Sequence, residues 1–179
     1  MGRYVIGLGS NLGDRLQHLC RGALGLAELG RVVGVSAVYE SAAWGGPEQG
    51  PFLNAALSLE VELEPRGLLT ELLAIERALG RERRERWGPR TLDLDLLWAR
   101  DLTLLDTDLC IPHPRLTERT FALRPLLDAE PSALPPPGAE PYATILGRLS
   151  EPVLRRVAEP IDWAKGVEIS APDRHHALR

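Results

Sequence analysis

Six short periodic segments follow one another through the first hundred residues in the order strand, helix, strand, strand, helix, strand, and that order leaves few ways to build a core. Tyr4 to Gly9, YVIGLG, is a brief apolar run ending in glycine; Leu16, Leu19, Ala23, Leu26 and Ala27 then recur at helical spacing. Asp14 is placed to cap that helix and Gly30 to stop it. Val32 to Glu40, VVGVSAVYE, is β-branched and reads as a strand. After the Gly/Pro loop SAAWGGPEQGPF, the residues Ala55, Leu57, Leu59 and Val61 alternate with Ala56, Ser58, Glu60 and Glu62 as a half-exposed strand would. Pro65 opens the second helix, whose stripe is Leu68, Leu69, Leu72, Leu73, Ile75 and Leu79, and Gly80 closes it. RWGPRTLDLDLLW, Arg86 to Trp98, supplies the last strand. The order predicts an α+β fold, a ferredoxin-like βαββαβ sandwich with an antiparallel sheet, helices on one face and C-terminal additions.

Among the additions, DLTLLD (Asp101 to Asp106) reads as a further strand, RTFALRPLLDAEP as a helix, and Ile145 to Val157 as helical beyond the proline-rich LPPPGAEP. The expected organisation is one domain over residues 1–160 and a flexible C-terminal extension over 161–179. With 44% hydrophobic residues in 179, the chain has enough apolar material for one sizeable core. A formal charge of -4 argues against a protein that coats nucleic acid or an anionic membrane. Two cysteines, Cys20 and Cys110, with no signal segment and no long apolar span, predict a reduced cytoplasmic setting. Lys165 is the sole lysine, so any phosphate clamp has to be made of arginine.

The last strand carries the chemistry. Residues two apart on a strand share a side, so Asp93 and Asp95 face one way while Leu92, Leu94 and Leu96 face the other. The leucines are expected to look toward the helices and the carboxylates out of the sheet. Two carboxylates so close repel unless a proton or a cation compensates. Mg²⁺ suits the pair, because it takes one or two carboxylates and completes its shell with water and phosphate oxygens, which implies a nucleotide substrate. A solvated polar strand face would show the same two residues, and it is the neighbours that favour the metal. Arg81, Arg83, Arg84, Arg86 and Arg90 lie just upstream in a segment without apolar periodicity, where guanidinium groups could close on a polyphosphate. Trp87, Gly88 and Pro89 read as a wedge and hinge within it.

RWGPRTLDLDLL, together with GLGSNLGDR near the start, FLNAAL at Phe52 to Leu57 and IPHPRLTERTF at Ile111 to Phe121, resembles the 6-hydroxymethyl-7,8-dihydropterin pyrophosphokinase family of the folate pathway. The likeness runs from about Tyr4 to about Pro136 with the motifs in family order. It implies transfer of the β,γ-diphosphate of ATP to the hydroxymethyl group of the pterin, giving the pterin diphosphate and AMP, with two Mg²⁺ ions. By the resemblance, Asp93 and Asp95 correspond to metal-binding aspartates, catalytic together with Arg81 and Arg83. Glu76, Arg81, Arg83, Arg90, His113 and Arg119 correspond to ATP-side positions. Ser41, Ala42, Trp44, Phe52, Asn54 and Phe121 correspond to pterin-side positions, with Asn54 hydrogen-bonding the ring and Phe52 and Phe121 stacking on its faces. Expected partners are ATP and 6-hydroxymethyl-7,8-dihydropterin, without nucleic acid or membrane, for a monomer. No residue stands out as a general base.

Two other readings fit parts of the pattern. A ferredoxin-like sheet can bind RNA, which predicts aromatic residues on exposed central strands, where this chain has Ala, Ser, Leu and Asp. Another Mg²⁺-dependent nucleotidyl or phosphoryl transferase could use the same aspartate pair.

Overall fold

The structure, a computed structural model, describes residues 1–44, 49–80 and 90–170. Its frame is β1 (Gly2–Ser10), α1 (Arg15–Leu29), β2 (Arg31–Val35), β3 (Val38–Ser41), β4 (Phe52–Val61), α2 (Pro65–Ala78) and β5 (Asp93–Ala99). The strands form one sheet in the order β5-β1-β4-β3-β8, with β2 also paired to β4 and every pairing antiparallel. The edge strand β8 is Arg155–Ala158.

Local chemistry sets the helix ends. The Asp14 carboxylate accepts a hydrogen bond from the Gln17 N–H at 3.0 Å and so starts α1, and Pro65 stands in the first turn of α2. Gly80 follows α2 at φ 83°, the left-handed conformation that glycine adopts without a steric cost. Leu19, Ala23 and Leu26 of α1 and Leu68 and Leu72 of α2 pack on Ile6, Leu8, Leu57, Leu59, Leu92, Leu94 and Leu96. Each of these buried leucines contributes about 1.5–3 kcal/mol. The aspartate strand is thereby fixed with its leucines inward.

The two helices of the βαββαβ frame occupy one face, and the additions cover part of the other. Helices α3 (Thr120–Ala129) and α4 (Tyr142–Arg148) bury Leu123, Leu126, Tyr142 and Ile145 against Val5, Ala56, Leu97 and Trp98. Strict alternation on β5 would have put Trp98 with the leucines. Instead Ile6 pairs with Leu96 and Val5 with Trp98, so a bulge at Leu97 turns Trp98 to the second core. At the C-terminal end of α3, the Glu130 carboxylate accepts from Arg3 Nη1 at 3.3 Å and Ser58 Oγ at 2.9 Å. Those bonds pin that end of α3 over one end of the sheet and leave its other end at the open part.

Four expectations are corrected. Val32 to Glu40 is two strands rather than one, because Ser36 breaks the ladder: its Oγ accepts from the Ala56 N–H at 2.8 Å and donates to the Ala37 carbonyl at 2.7 Å. Within Asp101 to Asp106 only β6 (Leu104–Leu105) is a strand, and it pairs with β7 (Cys110–Ile111) in a separate ribbon. The helix expected over Ile145 to Val157 ends at Arg148, where Pro152 forbids continuation, and the chain extends into β8 against β3. Residues 161–170 are not a loose extension: Trp163, in the short helix α5 (Pro160–Trp163), is fully buried, its Nε1–H donates to the Ser36 carbonyl at 2.8 Å, and the Ser170 N–H donates to the Val32 carbonyl at 2.9 Å. Residues 171–179 lie outside the described residues.

Candidate active site

A cleft opens on the α3 face where α3 stops short, and its floor is the sheet itself. Across β5, β1 and β4 the register places Asp95, Gly7 and Ala56 in one row and Asp93, Gly9 and Asn54 in the next. All of these except Ala56 line the cleft. Glycine is what keeps the floor open. A Cβ at Gly9 would meet the Phe52 ring at 3.7 Å and Asn54 Oδ1 and Asp93 Cβ at 3.8 Å, so any longer side chain there would fill the space between acid and amide. Strand β1, bare at Gly7 and Gly9, thus separates a carboxylate edge from an amide edge by the width of one strand.

On the carboxylate edge, Asp93 and Asp95 both open onto the cleft. Burial is the largest influence on Asp95, the charge of Asp93 adds to it, and Arg119 and Arg90 oppose both; its pKa is raised to about 7. The Arg90 guanidinium bonds Asp93 Oδ2 at 2.5 Å. Among the described residues, no three His, Cys, Asp or Glu side chains gather as a metal cluster. Two carboxylates without a third protein ligand fit a hard cation such as Mg²⁺, which keeps water and takes oxygen from its substrate, better than a closed structural site.

On the amide edge, Asn54 Nδ2 donates to Ser41 Oγ at 3.1 Å, and both residues are buried. That bond orients the amide at the end of β4. Phe52, two residues earlier on the same face, and Phe121, in the first turn of α3, are both cleft residues. Trp44 stands edge-on to Phe121 with centroids 6.2 Å apart, and the guanidinium groups of Arg115 and Arg119 lie 4.5 and 5.3 Å from its ring centroid. Arg119 Nε is buried and has no hydrogen-bond partner among the described residues. Burial, then the charge of Arg115, holds the Arg119 pKa below its usual value.

The structure brings together Ser41, Ala42, Trp44, Phe52, Asn54, Arg90, Asp93, Asp95, Arg119 and Phe121 around this one cleft. Arg81 and Arg83 lie outside the described residues. Glu76 and His113 do not line it. Glu76 is buried between α2 and β5, where its carboxylate accepts from the Leu94 N–H at 2.7 Å. His113 Nδ1 accepts from the Arg115 N–H at 3.1 Å; burial first, then Arg119 and Arg115, lower its pKa to about 4, so the ring is neutral at physiological pH with its proton on Nε2. Sequence reading passed over Gln49, which lines the cleft, and Arg115, which stacks on Trp44. Neither carries a pattern of its own; only their loops, beside recognisable motifs, could have drawn attention.

Over residues 5–131 the chain matches the family described as 7,8-dihydro-6-hydroxymethylpterin-pyrophosphokinase (HPPK). It is 40% identical over 136 residues to a 2-amino-4-hydroxy-6-hydroxymethyldihydropteridine pyrophosphokinase of Aquifex aeolicus, covering 76% of this chain and 85% of the relative. The enzyme of that name from Methylorubrum extorquens is 41% identical over 159 residues, covering 88% and 99% of the two chains. Among solved structures, a Plasmodium falciparum HPPK-DHPS superposes with a TM-score of 0.65 at 14% identity, over 82% of this chain and 45% of that one. That likeness is one of fold, and this chain spans under half of the larger protein.

Proposed function

The chain belongs to the 7,8-dihydro-6-hydroxymethylpterin-pyrophosphokinase family, and from that premise we propose that the cleft moves the β,γ-diphosphate of ATP onto the hydroxymethyl oxygen of 6-hydroxymethyl-7,8-dihydropterin. A bond forms between that oxygen and the β-phosphorus, the bond from the β-phosphorus to the α–β bridging oxygen breaks, AMP leaves and the hydroxyl proton is released. The observation that carries this reading is the row Asp93, Gly9, Asn54: a place for a cation and a place for a heterocycle, one bare strand apart.

On the amide edge, Asn54 offers a donor and an acceptor to the edge of the pterin, with Phe52 and Phe121 taking its faces. On the carboxylate edge, Asp93 and Asp95 hold Mg²⁺, two ions in this reading. Bound there, the metal supplies positive charge to the triphosphate oxygens. Arg90 and Arg119 bring guanidinium groups to the same oxygens, and Arg81 and Arg83 are assigned that task from the sequence resemblance. His113, neutral in the ligand-free protein, is assigned to the ATP side from the sequence resemblance, and Glu76 acts through the strand it holds. Catalysis is positioning and charge neutralisation, without a covalent intermediate.

The reading is of a monomer acting on two small soluble substrates in the cytoplasm. No helix among the described residues is long and apolar enough to cross a membrane. Incubation with ATP, Mg²⁺ and the reduced pterin should yield AMP and the pterin diphosphate in equal amounts. ADP as the nucleotide product would overturn diphosphate transfer.

A further inference from the structure

Asn11, the first residue after β1, does not line the cleft, yet its amide reaches both edges of it. Oδ1 accepts from the Arg90 N–H at 2.7 Å, and the Asn11 N–H donates to the Arg90 carbonyl at 3.1 Å, so residue 90 is held at both of its backbone groups. Arg90 in turn bonds Asp93 at 2.5 Å. On the other side, Asn11 Nδ2 donates to Gln49 Oε1 at 2.9 Å and to the Gly50 carbonyl at 3.4 Å. Gln49 lines the cleft, and Gly50 and Pro51 lead directly into Phe52. Arg15 steadies the same stretch from α1 by donating to the Pro51 carbonyl at 2.8 Å.

A planar side-chain amide presents an acceptor and a donor a fixed distance apart, and asparagine places both close to its own backbone. An alanine here would leave the Arg90 N–H and Gln49 without this partner. Glutamine would push both contacts outward by a methylene. On the reading of the cleft proposed above, the two segments it joins are the nucleotide-metal edge and the pterin edge.

We infer that Asn11 is a positioning residue that couples the two substrate edges, so that occupancy of the acid edge sets the segment leading to Phe52. Such coupling is reciprocal: the factor by which nucleotide tightens pterin equals the factor by which pterin tightens nucleotide. The quantity to measure is therefore the ratio of pterin Kd without and with a non-hydrolysable ATP analogue plus Mg²⁺. In Asn11→Ala, pterin binding alone should stay within about threefold of wild type, while the coupling ratio falls by about fivefold or more. kcat should fall with it, and the Kd of the analogue alone should move little. Adding Gln49→Ala to Asn11→Ala should produce no further loss of coupling, because both remove the same link. Asn11→Asp keeps an acceptor for the Arg90 N–H and removes the donor to Gln49; it gives the same readout should the alanine variant fold poorly. An unchanged coupling ratio in a folded Asn11 variant, or a ratio of one in wild type, overturns the inference. Wild-type formation of AMP tests the underlying reading separately, and its failure would leave a different signature, loss of turnover in the unmodified protein.

Discussion

The Glu76 carboxylate accepts a hydrogen bond from the backbone N–H of Leu94, 2.7 Å away, at the residue that separates the two aspartates. A buried carboxylate held to a strand N–H fixes where the strand lies on α2, and with it the spacing of Asp93 and Asp95 over the cleft. Its charge also helps to raise the pKa of Asp95. Glu76→Ala removes the acceptor and is expected to cost about 1–3 kcal/mol in urea unfolding. Glu76→Gln keeps an acceptor and should cost less, while letting the Asp95 pKa fall. If the two variants are equally unstable, the bond to Leu94 is not what Glu76 supplies.

Asp95 gives the metal-free protein a definite pH dependence. Its folded pKa of about 7 lies above the ordinary 3.8, so the folded state binds the extra proton. The stability contributed by that proton is complete below about pH 4, is lost as pH rises toward 7, and does not change beyond. Mg²⁺ binding needs the carboxylate, so apparent metal affinity should climb over the upper part of the same window and level off above it, with proton release. Unfolding at pH 5 and pH 8 in EDTA, alongside Asp95→Asn, reads this directly: the asparagine variant should show a flatter profile. A profile identical to wild type would assign the dependence elsewhere.

At pH 8 without metal, Asp95→Asn is expected to be more stable than wild type by about 1–3 kcal/mol, because it removes a charge confined beside another of the same sign. The same change should reduce turnover on the order of a hundredfold or more. An aspartate that served only the scaffold would behave in the opposite way, losing stability and keeping its rate.

Phe121→Ala opens one wall of the cleft and removes the ring that meets Trp44 edge-on. Stacking of a heterocycle on an aromatic side chain is worth about 1–3 kcal/mol, so pterin affinity should fall roughly tenfold to a hundredfold. Nucleotide binding should change far less. Titration with pterin that matches wild type would remove Phe121 from the pterin side.

Trp163→Ala should cost about 3–5 kcal/mol by urea unfolding, the usual penalty for emptying a fully buried tryptophan site. The site lies beyond the residues that the family description spans, between α1 and β2, so substrate affinities of the folded variant should hold. A loss under about 1 kcal/mol would mean that the C-terminal stretch is only loosely attached.

Periodicity by itself determined much of this molecule. Alternation along TLDLDLL settled which side of β5 meets the helices, and the spacing of leucines, with Asp14, Pro65 and Gly80, set where α1 and α2 begin and end. These signals are local, since each depends on residues within a few positions of one another. Other features depended on contacts between distant segments, and only the tertiary structure decided them. Ser36 breaks a strand because Ala56 lies beside it, Trp98 changes face because Val5 and Ile6 take a shifted register, and Trp163 is buried because Ser36 and Cys20 receive it. The same holds at the cleft. Two aspartates are legible as a pair, but Asn54 joins them only through the register of β1 and Asn11 only through loops at positions 49 and 90, because side chains far apart in sequence meet only when the sheet brings them together.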